Sequence, residues 1–223
     1  MKIVQILLWL LLILNSSFGQ NKIFDSLIYQ LQIIDRDDQT PRIQLDSIRK
    51  QYSNDSSLLR IRLETQWKTI RNKDSINVIK VIAILDKYGW LGPDDVGDDG
   101  NTTLFLVIQH ANLNTQEKYL PLMKAAVKNG KAKARNFAFL QDRIALREGK
   151  KQIYGTQVFQ NIKTNECFVL PLDDPYNVDI KRAEVGLQPL SVYLEDNFKT
   201  KWDVAQYLKD LPFIEATLKA NHL

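Results

Sequence analysis

Apolar residues recur every three or four positions along most of this chain, a spacing that restricts it to helices buried along one face. Ile23, Leu27, Leu31 and Ile34 open the pattern, which ends at Asp35-Arg36-Asp37-Asp38. Thr40-Pro41 reads as a cap followed by a first-turn proline, with Ile43, Ile48 and Tyr52 behind it. Asp55-Ser56 opens a helix carrying Leu59, Leu63, Trp67 and Ile70, and Asp74-Ser75 opens another over 76–88, stopped by Gly89. Gly92-Pro93 and Gly97-Asp98-Asp99-Gly100 punctuate residues 90–100 too densely for regular structure, and Asn101 then caps a helix over 102–112. Further helices are expected over 116–128, 132–148, 175–186, 190–198 and 201–218.

The pattern changes once, after Gly149. Gln157-Val158-Phe159 and Cys167-Phe168-Val169-Leu170 are short β-favouring runs on either side of Asn161-Ile162-Lys163-Thr164-Asn165, which predicts a hairpin. The expected fold is therefore mainly α: a single helical domain over residues 20–223 with a small β-hairpin. At 223 residues, 44% hydrophobic, with nine Gly and seven Pro, the chain can build a core and is neither disordered nor low-complexity.

Lys2 precedes an apolar run over 3–14 broken only by Gln5. A spanning helix needs about 20 apolar residues, so the run is short for one and fits a signal peptide. Ser17 and Gly19 supply the small residues that a signal peptidase reads, which places residues 1–19 as a signal peptide cut before Gln20. An uncleaved anchor is the alternative. The mature chain is expected to be exported, periplasmic or secreted, with no stable membrane insertion. A single cysteine, Cys167, excludes an intramolecular disulfide, a combination with export that suits a bacterial envelope protein.

The same counts exclude much chemistry. One Cys and two His, His110 and His222, leave no Cys-based or multi-His metal site, and no phosphate-cradling loop or nucleophile elbow occurs. Neither metal nor cofactor is expected. Asp94, Asp95, Asp98 and Asp99 lack the calcium-loop pattern and read as a solvated acidic loop. The formal charge is +4, and the lysine-rich stretch from Lys124 to Lys151 reads as a solvated face rather than a nucleic-acid surface.

Three places remain chemically unusual. Leu104-Phe105-Leu106-Val107-Ile108 is apolar all round, so Gln109 and His110, which continue that helix, are expected inside the protein. Buried amides and imidazoles need partners, and imidazole is suited to proton transfer near neutral pH. Asp142 interrupts the small-residue stripe of Ala134, Ala138 and Ala145, and Arg143 lies beside Phe139 and Leu146. A covered carboxylate needs a cation or several donors; His110 is one candidate partner, and an Asp–Arg network between helices is the other. Tyr154-Gly155-Thr156-Gln157 concentrates two hydroxyls and an amide around a glycine, either lining a polar pocket or turning the chain into the hairpin.

These blocks, with Tyr88-Gly89-Trp90, Val96-Gly97 and Tyr119-Leu120-Pro121-Leu122-Met123, resemble a bacterial family of unknown function. The likeness extends forward to Asp38-Gln39 with Arg42 and back to Arg182 with Gly186-Leu187-Gln188-Pro189-Leu190, covering roughly residues 24–193. It implies that the three unusual places are the family's own marks and carries no activity with it.

Two functional readings follow. In the first, the chain is a hydrolase-like enzyme or ligand-binding protein. His110 and Asp142 are its catalytic pair, and Gln109, Arg143, Tyr154, Thr156 and Gln157 contact the substrate. Cys167, in an apolar β run, is inert. In the second, the chain is a non-catalytic envelope interaction protein in which the same cluster is structural. The partner is accordingly a small molecule or an envelope protein.

Overall fold

Where each helix starts and stops follows from which side chains the backbone can reach and which the core claims. The computed structural model describes residues 2–160 and 166–220, with side chains over 23–160 and 166–219. The side chains of the expected signal peptide and the hairpin turn at 161–165 lie outside the described residues. The chain is mainly helical with one small antiparallel hairpin, and it divides into two compact units, Met1–Ala111 and Asn112–Leu223. Among the described residues no helix is long and apolar enough to cross a membrane.

The first unit is built from α1 (Lys2–Gln51), α2 (Ser56–Tyr88) and α3 (Pro93–His110). Leu27, Leu31, Ile34, Asp38, Pro41 and Leu45 are all buried on α1 and step alternately by four and three residues. That is the spacing of a helix–helix seam, in which facing side chains interlock. On α2 the matching stripe is Ile70, Asp74, Asn77, Val81 and Ile84. The two helices run antiparallel: Gln66 donates to the Pro41 carbonyl, Lys73 meets Asp37, and Asn77 reaches the Ile34 carbonyl.

Four local expectations are corrected here. Thr40-Pro41 does not begin a helix, because α1 continues through it. An interior proline costs about 3 kcal/mol, but the apolar stripe stays in phase on both sides of Pro41, and burial outweighs the local loss. Asp74-Ser75 does not begin a helix either: the Asp74 carboxylate is taken by Arg42, and Ser75 Oγ donates to the Arg71 carbonyl at 2.8 Å. Residues 93–100 are helical, not irregular. Asp95 accepts from the Gly92 N–H at 2.9 Å, Pro93 starts the first turn, and the break falls at Gly97 alone, with φ 74° and ψ 168°. Asn101 is buried inside α3 and donates to the Leu91 carbonyl at 2.7 Å, tying down the α2–α3 connection instead of capping. The caps at Asp55 and the stop at Gly89 are as expected.

The second unit runs α4 (Leu113–Lys128), α5 (Ala134–Arg147), β1 (Val158–Gln160), β2 (Cys167–Val169), α6 (Val178–Glu184), α7 (Leu190–Phe198) and α8 (Val204–Ala220). The expected hairpin forms, with Val158 opposite Val169 and Phe159 opposite Phe168. Leu146, Val169, Leu170, Leu172, Val178, Leu190, Leu194, Tyr207 and Ile214 make its core. The buried Gln152 amide joins the chain before the hairpin to the chain after it. Its Nε2 donates to the Leu170 and Gln157 carbonyls, and its Oε1 accepts from the Gln157 N–H.

Candidate functional site

The unusual polar residues fall into two clusters, one in each unit. In the first, Asp38 occupies a core position of α1 with 1% of its side chain exposed. Such a carboxylate requires donors, and three side chains supply them. His110 Nδ1 lies 3.1 Å from Oδ1 and 3.0 Å from Oδ2. Gln39 Nε2 donates to Oδ2 at 2.6 Å, and Arg42 Nη1 lies 3.3 Å from Oδ1. Arg42 also donates from Nη1 to the Asp38 carbonyl at 2.6 Å, and its Nη2 spans both oxygens of Asp74 at 2.8 and 2.9 Å. One α1 carboxylate, one α1 guanidinium, one α2 carboxylate and the last residue of α3 thus form a continuous charged network.

Burial by itself would raise the Asp38 pKa. The His110 hydrogen bond and charge, the Arg42 guanidinium and the Gln39 amide outweigh burial and hold it below the usual carboxylate range. Asp35, one turn earlier on α1, is raised: first by burial, then by the Asp38 and Asp99 carboxylates. His110 is 17% exposed, and its Nε2 takes no hydrogen bond among the described residues. In the tautomer that donates from Nδ1 to Asp38, Nε2 is the acceptor nitrogen of the ring.

In the second unit, Asp142 is completely buried on α5 and receives the loop that follows. Ile153 N–H donates to Oδ1 at 2.7 Å, and Tyr154 N–H is shared between Oδ1 and Oδ2 at 3.1 and 3.2 Å. Thr156 donates to Oδ2 through both its N–H, at 3.0 Å, and its hydroxyl, at 2.9 Å. Burial pushes the Asp142 carboxyl up, against the lowering by these four donors. Arg182, 1% exposed, faces the same loop: its Nη1 donates to the Tyr154 carbonyl and its Nε to the Gln188 carbonyl, both at 2.7 Å. Its guanidinium carbon stands 5.1 Å from the centre of the Tyr193 ring. Gln157 Nε2 donates to Thr156 Oγ1 at 3.0 Å, closing the network.

The sequence-derived set is therefore divided. Asp142, Tyr154, Thr156 and Gln157 meet in the second unit, where Arg143 is half-buried on α5. In the first unit Gln109 is buried on α3, and the carboxylate that orients His110 is Asp38. Sequence reasoning gave no chemistry to Asp38, Arg42, Asp74, Gln152 or Arg182. The missed signal on α1 was available: continuing the stripe from Ile34 by four lands on a carboxylate. Cys167 lines a cleft of about 440 Å³ with Trp202, Tyr207 and Ile214, and burial pushes its thiol up, as an inert cysteine requires.

No curated protein and no solved structure matches this chain. Residues 27–202, which contain both clusters, match DUF6624, a family of unknown function, and the chain belongs to that family.

Proposed function

We infer that this protein performs acid–base chemistry at His110, as a hydrolase-like enzyme of the cell envelope. The observation that carries the reading is the contact between His110 Nδ1 and the buried Asp38 carboxylate at 3.0–3.1 Å, on a ring whose other nitrogen takes no hydrogen bond among the described residues. A carboxylate behind Nδ1 fixes the tautomer, keeps Nε2 as the base and stabilises the imidazolium once it takes a proton. Arg42, held between Asp38 and Asp74, is the cation available to a negatively charged substrate group beside the dyad. The Tyr154–Gln157 loop serves as a rigid element in this reading, with Asp142 as its organiser. Positioned proton transfer contributes about 10²–10⁴-fold to a rate. Turnover should therefore fall by about that factor in His110→Ala and by less in Asp38→Asn. The test is a screen of the purified chain against ester, amide, phosphoester and glycoside substrates, with both variants alongside. Turnover no different from that of His110→Ala across all four classes would sink the proposal.

Export is part of the same proposal. It rests on Lys2, the apolar run over 3–14 and the small residues at Ser17 and Gly19. N-terminal sequencing of protein recovered from the envelope fraction should begin at Gln20. Recovery of the intact chain from the cytoplasm would overturn it.

A second reading is favoured by Arg42. A guanidinium bound to both oxygens of Asp74 and to the Asp38 backbone is also an efficient tie between α1 and α2. In that reading the chain is a non-catalytic envelope interaction protein, and His110→Ala changes stability without changing any rate.

A further inference from the structure

The first unit brings two carboxylates and an imidazole together at its α1–α2 seam. Asp38, Asp74 and His110 each offer one ligand atom, and these atoms all lie within 4.8 Å of one another. With Arg42 the group sums to one negative charge while the imidazole is neutral. Asn77, one turn along α2 from Asp74 on the side facing α1, is fully buried, and its Oδ1 has no donor. Asp35 adds a further carboxylate to the same stretch of α1, one turn before Asp38.

We propose that Asp38, Asp74 and His110 form a binding site for one divalent transition ion such as zinc, with His110 Nδ1 and one oxygen from each carboxylate as ligands. Whatever lies between Nδ1 and the Asp38 carboxylate must be positive, either a proton or a metal. Their separation of 3.0 Å is that of two ligands about 90° apart on one ion with bonds of about 2.0–2.2 Å, the angle found in five- and six-coordinate sites. An ionised carboxylate has about four lone-pair positions. Arg42 occupies two on Asp74, so the guanidinium and a metal can share that residue. One imidazole with two carboxylates suits zinc, manganese or iron better than calcium or magnesium, which favour all-oxygen sets. On binding, the Nδ1 proton leaves, to Nε2 when the ring is neutral and to solvent when it is charged. The metal-bound form and the Asp38–His110 proton dyad therefore exclude each other, and zinc inhibits any reaction that uses Nε2 as a base.

The probe is zinc alone, titrated into the chelator-treated full chain by calorimetry, with histidine ¹⁵N spectra recorded on the wild-type protein. Only two histidines contribute, and His222→Ala identifies the signal of His110. The expected result is one zinc per chain, bound at least tenfold more weakly by Asp74→Asn and His110→Gln and unchanged in His222→Ala. The His110 pattern should move from an Nδ1-protonated ring to one carrying its proton on Nε2. Absence of stoichiometric binding overturns the site, as does binding indifferent to Asp74→Asn and His110→Gln. Bound zinc that leaves the His110 ¹⁵N pattern unchanged overturns it without recourse to a variant of any proposed ligand. The acid–base reading fails separately, on rates: turnover without zinc binding removes only the metal site, and zinc binding with turnover insensitive to His110→Ala removes only the dyad.

Discussion

Asp142 and Arg182 hold the same residue by its two backbone polar groups. The Tyr154 N–H donates to the Asp142 carboxylate, and the Tyr154 carbonyl accepts from Arg182 Nη1 at 2.7 Å. Two opposite charges, each buried on a different helix, are thus joined through one loop residue in place of a direct ion pair. Burying a guanidinium whose hydrogen bonds go to carbonyls is costly by itself. Burial lowers the Arg182 pKa, and Tyr193, Asp179 and, least of the three, Asp142 favour its charged form against that burial.

Asp142→Asn should consequently destabilise the protein although the substitution is nearly isosteric. The carboxylate accepts from Ile153, Tyr154 and both donors of Thr156, whereas an amide offers one acceptor and turns an N–H toward donors. Leaving one or two buried donors unmatched should lower stability by about 2–3 kcal/mol, measured by urea unfolding at pH 7. Amide exchange at 153–156 should accelerate in the same variant. Unchanged exchange there would mean that Asp142 does not organise the loop.

Gly155→Ala attacks the same loop from its backbone. Gly155 has φ +66°, and an added Cβ would stand 3.3 Å from Leu172 Cδ2 and from both Cδ atoms of Leu190. Left-handed strain and crowding against two core leucines act together, so a loss of about 1–2 kcal/mol is expected. Calorimetric Tm is the readout. A variant as stable as the parent would show that the loop has room to move.

Most of the fold was legible because its signals are local. The Asp55 cap, the Gly89 stop, the hairpin partners and the α7 boundaries at Leu190 and Phe198 each depend on a few adjacent residues. What was not legible depended on distant ones. Asp74-Ser75 has the chemistry of a helix start, yet Arg42, 32 residues earlier, takes the carboxylate and the helix passes through. Pro41 looks like a beginning, but the burial of α1 against α2 keeps the helix whole. The site followed the same rule. Tyr154-Gly155-Thr156-Gln157 and Asp142 stood out by composition, and the structure joins them through hydrogen bonds. Asp38 looked like one of four charges ending a helix, and only its place in the Leu27–Leu45 stripe distinguishes it from solvated Arg36.

Arg42→Lys tests whether planar, two-point recognition matters at the seam. The guanidinium spans both Asp74 oxygens while a second nitrogen serves Asp38, and one ammonium cannot occupy both places. The expected loss is about 1–2 kcal/mol by urea unfolding. Asp74→Asn added to Arg42→Lys should cost less than Asp74→Asn added to the wild type, because the pair is already broken. Full additivity would show that the two side chains act independently.

Asp38 and Asp142 should shape the pH dependence in opposite directions. Partners hold the folded Asp38 pKa below its unfolded value near 3.9. The unfolded chain therefore binds the proton more readily in that window. Asp38 stabilises the fold fully above about pH 4, and its contribution is lost as pH falls through the folded pKa. Asp142 is raised by burial, so its contribution is complete below about 3.9 and declines as pH rises through its folded pKa. Unfolding free energies measured from pH 3 to 7 should show a steep acid limb in the wild type and a shallower one in Asp38→Asn. Asp142→Asn should make the same limb steeper, because the opposing group is gone. Parallel acid limbs in wild type and Asp38→Asn would mean that His110, Arg42 and Gln39 do not hold the Asp38 carboxylate ionised.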